Sequence, residues 1–192
     1  MTTTATLARG DRLPEPPLWL GAVWGFAEAT VFFVVPDLVI TLVALSSLHR
    51  AARHLVVVTC GSVAGGILMY TLAAHHPAML QAVVAGVPFV RRSMFDSVAR
   101  DYTSYGVWGL CMGPLAGIPY KVYAVLGPAH ASPAAFALVS VPARVERLAT
   151  TLAVFAAAGW ALRRWFPGRT SLALGFYLTY WLVVYGYYWT WF

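Results

Sequence analysis

Charged residues are scarce in this sequence, and their scarcity excludes most soluble proteins. Of its 192 residues, 10% are Asp, Glu, Lys or Arg and 60% are hydrophobic, with a mean hydropathy of +0.70. A soluble domain contains about 25% charged residues, so we expect an integral membrane protein. At ~20 apolar residues for each helical span, the chain has room for about four to six membrane-entering segments and for no separate soluble domain.

Acidic residues and cysteines are also few. Seven Asp and Glu against 13 Lys and Arg give a formal charge of +6. The arginines lie in short segments between apolar runs, which is the positive-inside pattern of membrane proteins and not a nucleic-acid-binding face. The two cysteines, Cys60 and Cys111, lie in separate apolar stretches, so neither a disulfide framework nor a thiolate metal site is expected.

Catalytic motifs are absent from the sequence as well. It contains no His-Glu-x-x-His motif and no histidine paired with a plausible nucleophile in an apolar run, so we expect neither an enzyme nor a cofactor. His75 and His76 lack further metal ligands and are expected at a helix end in water. Residues 1–17 lack the apolar core of a signal peptide and are expected to form a cytoplasmic tail.

The most informative stretch is 105–130, which is apolar enough for a bilayer but cannot form one continuous helix. Pro114, Gly117 and Pro119 interrupt it, and Lys121 places a charge beside the interruption. Non-helical backbone at membrane depth must be covered by protein or line a water-filled cavity, and an ionisable residue there indicates a binding site. We predict a re-entrant hairpin; the alternative is a proline-kinked span whose lysine reaches the interface.

The first apolar region, 18–45, has the same organisation. It contains Glu28 and, directly after Pro36, Asp37. As one helix, the run that ends before this proline would measure ~27 Å, barely the thickness of a bilayer core. Two acids are also hard to place in a simple span. We therefore predict a second re-entrant hairpin, made of two half-helices that meet near residues 34–36.

The rest of the membrane domain, which spans 18–192, is predicted to be helical too. Three full transmembrane helices are expected at 55–74, 133–160 and 171–192, and a short amphipathic surface helix at about 88–102 within the loop 75–104. The first of these spans has a small-residue face that would let another helix approach closely, which permits a homodimer. That face consists of Gly61, Ala64, Gly65 and Gly66. The aromatic residues near the C-terminus are typical of an interface belt.

Two arginines are predicted at membrane depth. Arg144 and Arg147 are three residues apart and so share one helix face. If the helix begins at Pro133, they lie ~17 to 21 Å into it. Each costs ~2.5 to 3.5 kcal/mol at that depth, so both must face a partner or water. Glu146 is a local candidate partner.

The two broken regions suggest an internal repeat. Each is interrupted by proline and followed by a long apolar span, which is the pattern of inverted-repeat transporters. If both are re-entrant, most basic residues lie on one side of the membrane, which is then cytoplasmic, together with the N-terminus. These residues are Arg9, Arg12, Arg50, Arg53, Arg163, Arg164 and Arg169. We expect an integral protein of the cell (inner) membrane.

Three sequence motifs resemble those of one membrane-protein superfamily. They are Gly25-Phe-Ala-Glu-Ala-Thr with Pro36-Asp37, Gly61-Ser-Val-Ala-Gly-Gly with Tyr70, and Gly117-Ile-Pro-Tyr-Lys-Val. Together they resemble the DedA/VTT-domain superfamily, also called SNARE-associated Golgi proteins, and within it the YqaA-like branch. The resemblance covers about residues 18–164, and the third motif is the most specific.

The resemblance implies two facing re-entrant hairpins and translocation of membrane lipids, with undecaprenyl phosphate or glycerophospholipids as substrates and possible proton coupling. The acids required in the superfamily fall on Glu28 and Asp37. Of its two basic residues around a Pro-Gly turn, Lys121 matches the second, whereas Leu115 stands at the first. Our own inference is that the two deep arginines supply the missing charge.

The sequence therefore predicts a charged groove through which a lipid headgroup crosses the membrane. The expected headgroup-binding residues are Lys121, Arg144, Arg147 and Tyr120, and the expected charge partners and proton relay are Glu28, Asp37 and Glu146. Arginine is suited to phosphate because its planar fork donates two hydrogen bonds. The alternatives are a proton-coupled transporter of a small solute or ion and a buried ion-pair network with a structural role.

Overall fold

The computed structural model describes residues 15–191 and every side chain in that range except those of residues 114, 115 and 191. The described part of the chain is all helical and contains no β-strand, which confirms the predicted all-α class. Residues 1–14 of the predicted cytoplasmic tail lie outside the described residues, so the tail stays a prediction.

The described residues form nine α-helices and two short 3-10 segments. The α-helices are α1 (Leu18–Thr30), α2 (Asp37–Ala44), α3 (Leu48–His75), α4 (Pro77–Ala85), α5 (Arg92–Tyr105), α6 (Gly113–Ala116), α7 (Tyr120–Leu126), α8 (Pro133–Trp165) and α9 (Thr170–Trp191). The 3-10 segments are Gly106–Cys111 and Gly127–Ala129.

The first apolar region is two helices separated by an irregular turn. α1 ends at Thr30, whose hydroxyl donates to the carbonyl of Ala27 at 2.8 Å, a local bond that competes with regular backbone structure. The indole N–H of Trp24 donates to the carbonyl of Val34 at 2.9 Å and fixes the turn. α2 begins directly after Pro36, which lacks the amide proton that a continuous helix would need.

These two helices double back so that their outer ends lie together. Glu15, just before α1, pairs with Arg50 in the first turn of α3, and α2 runs almost directly into α3. At the same end of the molecule, the guanidinium of Arg163 in the last turn of α8 donates to the carbonyl of Leu45. Residues 18–45 therefore form a helical hairpin.

The second broken region contains α6 and α7. Gly117 separates them with a φ of +68°, a left-handed conformation that glycine adopts without steric cost. Pro119 is extended, and α7 begins at the next residue, Tyr120. Pro114 follows the end of the 3-10 segment and does not form the break between α6 and α7. It lies in the first turn of α6, where a proline has no helical hydrogen bond to lose.

This second region approaches α3 from its other end. The ring of Tyr70, near the end of α3, packs against Gly127, and its hydroxyl donates to the carbonyl of Ala131. At the start of α7, the ring of Tyr120 lies against Gly66, closer to the middle of α3. The two broken regions thus contact α3 from opposite ends.

Glycines let α1 lie directly against α3. A Cβ atom at Gly61 would be 2.0 Å from the carbonyl oxygen of Ala22, and one at Gly65 would be 2.6 Å from that of Phe26. The predicted small-residue face is therefore used for packing within the chain. α1 covers Gly61 and Gly65, and the ring of Tyr120 covers Gly66, whereas Ala64 is exposed. A homodimer stays a prediction.

Two parts of the helix assignment from sequence were wrong. The span predicted to begin at residue 55 begins at Leu48, where the hydroxyl of Ser47 caps α3 by accepting from the N–H of Arg50 at 3.4 Å. The predicted loop after α3 contains the additional helix α4, which has Pro77 in its first turn.

The amphipathic surface helix is present as α5, although it begins at Arg92 instead of residue 88. Met94, Val98 and Tyr102 are spaced four apart and are buried along one side of it. The remaining sides carry most of its charged and polar residues, as expected of a helix that lies on the surface of the core.

Two described helices, α3 and α8, are long and apolar enough to cross a membrane. They measure ~42 and ~50 Å, more than the ~30 Å of a hydrocarbon core. α9, predicted as a third full span, is long enough with 22 residues, but it is not among these apolar helices because Tyr and Trp occupy many of its positions. That α9 spans the membrane stays a prediction. The structure supports a membrane protein through these two helices.

Candidate functional site

A cavity of about 250 Å³ lies between the two broken regions, α8 and α9. It collects charged residues from four helices, α1, α2, α7 and α8. The charged residues that line it are Glu28, Asp37, Lys121, Arg144 and Arg147. Five of the seven residues predicted as headgroup ligands or charge partners by sequence thus meet around one space, and Tyr120, a sixth, lines it too.

Arg144 forms the most buried ion pair of the cavity. Its Nη2 lies 2.7 Å from Oε2 of Glu28 and donates also to the hydroxyl of Ser62 at 3.0 Å. Its guanidinium carbon is 5.1 Å from the ring centroid of Tyr120, within cation–π range. Arg144 and Glu28 are 2% and 3% exposed, so this pair is held out of solvent by α1, α3, α7 and α8.

Arg147 lies one helical turn further along α8 and is less buried. Its Nη2 donates to Oδ2 of Asp37 at 3.0 Å, and its Nη1 is 3.9 Å from Oε1 of Glu28. Asp37 is the first residue of α2, where the positive end of the helix dipole also stabilises a carboxylate. The side chain of Arg147 is 26% exposed, against 2% for that of Arg144, so this end of the network is the less buried one.

Lys121 differs from both arginines because no carboxylate among the described residues pairs with it at ion-pair distance. Its Nζ donates to the carbonyl of Phe32, in the turn of the first hairpin, at 2.6 Å. The lysine is 2% exposed. Three cations and two carboxylates line the cavity, which leaves a formal charge of +1 (3 − 2).

The hydrogen bond of Lys121 also joins the two broken regions. The lysine is the second residue of α7, whereas Phe32 lies between α1 and α2. A lysine ammonium donates well to a backbone carbonyl that the end of a helix leaves unpaired. Val35 and Ile118, one from each break, both line the same cavity.

Searches against protein-family models, curated proteins and solved structures find no match for this chain. The resemblance to DedA/VTT-domain proteins therefore rests on sequence motifs alone. Among the described residues, no group of three or more His, Cys, Asp or Glu side chains could hold a metal ion.

The hydroxyl of Tyr120 is engaged within the protein, so this residue supports the site. Its hydroxyl donates to the hydroxyl of Ser140 at 2.7 Å, and Ser140 donates to the carbonyl of Phe136 at 2.7 Å. Because the ring lies beneath the guanidinium of Arg144, this bond chain holds the tyrosine as a platform for the arginine. Its predicted role as a direct headgroup ligand stays a prediction.

Glu146 was wrongly predicted as a local partner of the deep arginines. The structure places it on an exposed side of α8, and it forms no ion pair with a described residue. The reason is helix geometry: residues one or two positions apart do not face each other. Glu28 and Asp37, which are distant in sequence, fill that role.

Several residues of the site were missed by sequence reasoning. Nothing in the sequence distinguishes Ser62 from the other small residues of α3, although its hydroxyl accepts a hydrogen bond from Arg144. Trp181, which is 7% exposed, gave no signal either. Tyr185 was assigned to an interface belt with the aromatic cluster 185–192, but it accepts a hydrogen bond from the N–H of Val35 at 3.0 Å. Aromatic residues at both positions line the cavity, and no periodicity in α9 distinguishes them from their exposed neighbours.

Proposed function

We propose that this protein moves a phosphate-bearing lipid headgroup across the membrane through the central cavity while the lipid tails stay in the bilayer. The observation that carries the proposal is the unbalanced charge: three buried or half-buried cations face two carboxylates in one space. A buried cation without a carboxylate partner is costly unless something compensates it. A phosphate group supplies that compensation, and Lys121 is the cation that has no carboxylate partner among the described residues.

In this proposal the two broken regions are re-entrant hairpins that enter from opposite sides of the membrane, with α3 and α8 crossing it. The end of the molecule where Arg50 contacts Glu15 and Arg163 contacts Leu45 carries the basic residues of the first turns of α3 and the last turn of α8. By the positive-inside rule that end faces the cytoplasm, in the inner membrane. The inverted repeat and the orientation are part of the proposal.

The proposed mechanism is a competition for cations. Arg144 stays clamped between Glu28 and Ser62 and shapes the cavity, whereas Arg147, at its more open end, exchanges Asp37 for the entering phosphate. Lys121 binds the phosphate at the junction of the two hairpins. Protonation of an acid would release its arginine, which gives a physical route to proton coupling. A glycerophospholipid or undecaprenyl phosphate would present the same charged group.

A second candidate function is a structural one, and the burial of the Arg144–Glu28 pair favours it. Buried ion pairs are often retained for architecture. A structural pair tolerates exchange of its two charges between positions, whereas a transport site does not. Transport of a small water-soluble solute is a third candidate, because a cavity of about 250 Å³ admits one.

Replacing Lys121 by Met is expected to slow lipid movement at least about tenfold, because one charged hydrogen bond to the phosphate is lost. The measurement reconstitutes the full chain in liposomes and follows fluorescent phospholipid and polyprenyl phosphate across the bilayer. Lys121→Arg keeps the charge and should retain part of the rate. Arg164→Gln removes an exposed cation outside the cavity and should change nothing. Equal rates for Lys121→Met and Arg164→Gln would contradict the proposal.

A further inference from the structure

A second concave surface lies on the outer side of the second hairpin's break. It encloses about 410 Å³ between α5 and the residues around Gly117. We name it the α5 groove and define it by Arg91, Ser93, Ser97, Arg100, Asp101 and Ile118. Ile118 lines the central cavity as well, so the groove and the cavity are neighbours that share one wall.

The side chains of the groove are suited to an oxyanion. Ser93, Ser97 and Arg100 are spaced four and three residues apart and therefore lie along one side of α5. The guanidinium of Arg100 donates to the hydroxyl of Ser97 at 3.0 Å, which orients both groups in the groove. Arg91 adds a second guanidinium to the groove, just before the helix begins.

One carboxylate lines the groove among the described residues, and it is engaged elsewhere. Asp101 accepts a hydrogen bond from the hydroxyl of Tyr123, and Tyr123 lines the central cavity. This bond and the side chain of Ile118 together form the partition between groove and cavity. With two arginines and one acid, the groove has a formal charge of +1 (2 − 1).

We propose that the α5 groove binds a phosphate-bearing anion and holds it beside the central cavity. In this position the groove would load a lipid headgroup into the cavity. This loading role rests on the proposed lipid movement, whereas the anion site does not. An amphipathic helix in the interface places its polar side at the level of lipid headgroups, and Met94 and Ile118 give the groove an apolar floor. A lipid phosphate and free phosphate offer the same oxygens to the arginines, so the test separates these two sources.

The test measures binding to the full chain in uncharged detergent micelles with two probes, inorganic phosphate and the short-chain lipid dihexanoylphosphatidic acid. Both are measured in the Lys121→Met background as well, which removes the central cation. Arg100→Gln is expected to weaken binding roughly five- to tenfold, the value of one charged hydrogen bond at a partly exposed site. Arg92→Gln is the matched control, because Arg92 is an exposed arginine of α5 outside the groove.

Tighter binding of the short-chain lipid than of inorganic phosphate assigns the groove to a headgroup, and equal binding assigns it to free phosphate. Two results overturn the anion site. In the first, the Arg100→Gln variant binds both probes as tightly as the Arg92→Gln variant does. In the second, Lys121→Met abolishes all binding. Lipid movement then tests the loading role separately. If the wild-type protein moves lipid and Arg100→Gln does not slow it, loading is wrong while the central proposal stands. If the wild-type protein moves no lipid, the central proposal fails while a measured anion site remains.

Discussion

Replacing Glu28 by Gln is expected to lower the free energy of unfolding by about 3 to 5 kcal/mol, the usual cost of leaving a buried charge without its partner. Arg144 would lose the carboxylate 2.7 Å from its Nη2. Its Nε already has no hydrogen-bond partner among the described residues, so the variant takes the charge partner from a guanidinium that is incompletely paired even in the wild type. Denaturant unfolding in detergent, followed by tryptophan fluorescence, measures the change.

The matched control is Glu146→Gln, which removes an exposed acid from α8 with no ion pair to a described residue. It should change stability by no more than about 0.5 kcal/mol. The double variant Glu28→Gln with Arg144→Met should recover most of the loss, because neither partner then stays buried with an unpaired charge. A loss for Glu28→Gln no larger than for Glu146→Gln would show that the buried pair is absent.

The substitution Gly61→Ala is expected to cost about 3 kcal/mol, at the upper end for overpacking. The added methyl group would lie 2.0 Å from the carbonyl oxygen of Ala22. That neighbour is backbone and not a flexible side chain, so α1 must move away from α3. Because α1 carries Glu28, we also expect the variant to lose lipid movement. Unfolding in the same detergent measures the stability change.

Gly186→Ala provides the comparison, because nothing lies within 4 Å of the Cβ position of this helical glycine. Alanine is favoured over glycine in a helix by roughly 1 kcal/mol, so this variant should be as stable as the wild type or slightly more so. If both glycine substitutions behaved alike, the close crossing of α1 and α3 would be wrong.

The sequence predicted the breaks in the chain better than it predicted their surroundings. Prolines and glycines act locally, so the turns at Pro36 and at Gly117 to Pro119 could be inferred from their own neighbourhoods. The cap of α8 at Ser132, which accepts from the N–H of Ala135 at 3.3 Å, is local in the same way. α4 was missed because a short apolar helix resembles any other apolar run when its packing is unknown.

The charges were predicted as a set, but their pairing was not. A buried arginine requires a partner, which made it reasonable to expect Glu28 and Asp37 near Arg144 and Arg147. Which acid meets which base depends on how α1, α2 and α8 cross, and this follows from close contacts such as that of Gly61 with Ala22. The wrong assignment of Glu146 came from proximity in sequence, which does not place side chains on one helix face.

The same limit applies to the aromatic residues of α9. Tyr and Trp serve both membrane interfaces and buried hydrogen bonds, so composition alone does not distinguish these uses. Trp181 donates to the hydroxyl of Thr41 at 3.2 Å and Tyr177 to the carbonyl of Leu38 at 3.1 Å. These bonds attach α9 to α2 and make it one wall of the cavity.

The central claim is that two broken segments from separate halves of the chain meet around one cavity inside the membrane. The most direct test links Val35→Cys to Ile118→Cys with a short bifunctional thiol reagent in intact membranes, after Cys60 and Cys111 are changed to Ser. Val35→Cys with Cys60 retained is the control, because Cys60 is exposed on α3 and does not line the cavity. We expect an intramolecular link in the first pair and none in the control. Failure of the first pair to link, when each cysteine alone reacts with the reagent, would contradict the claim.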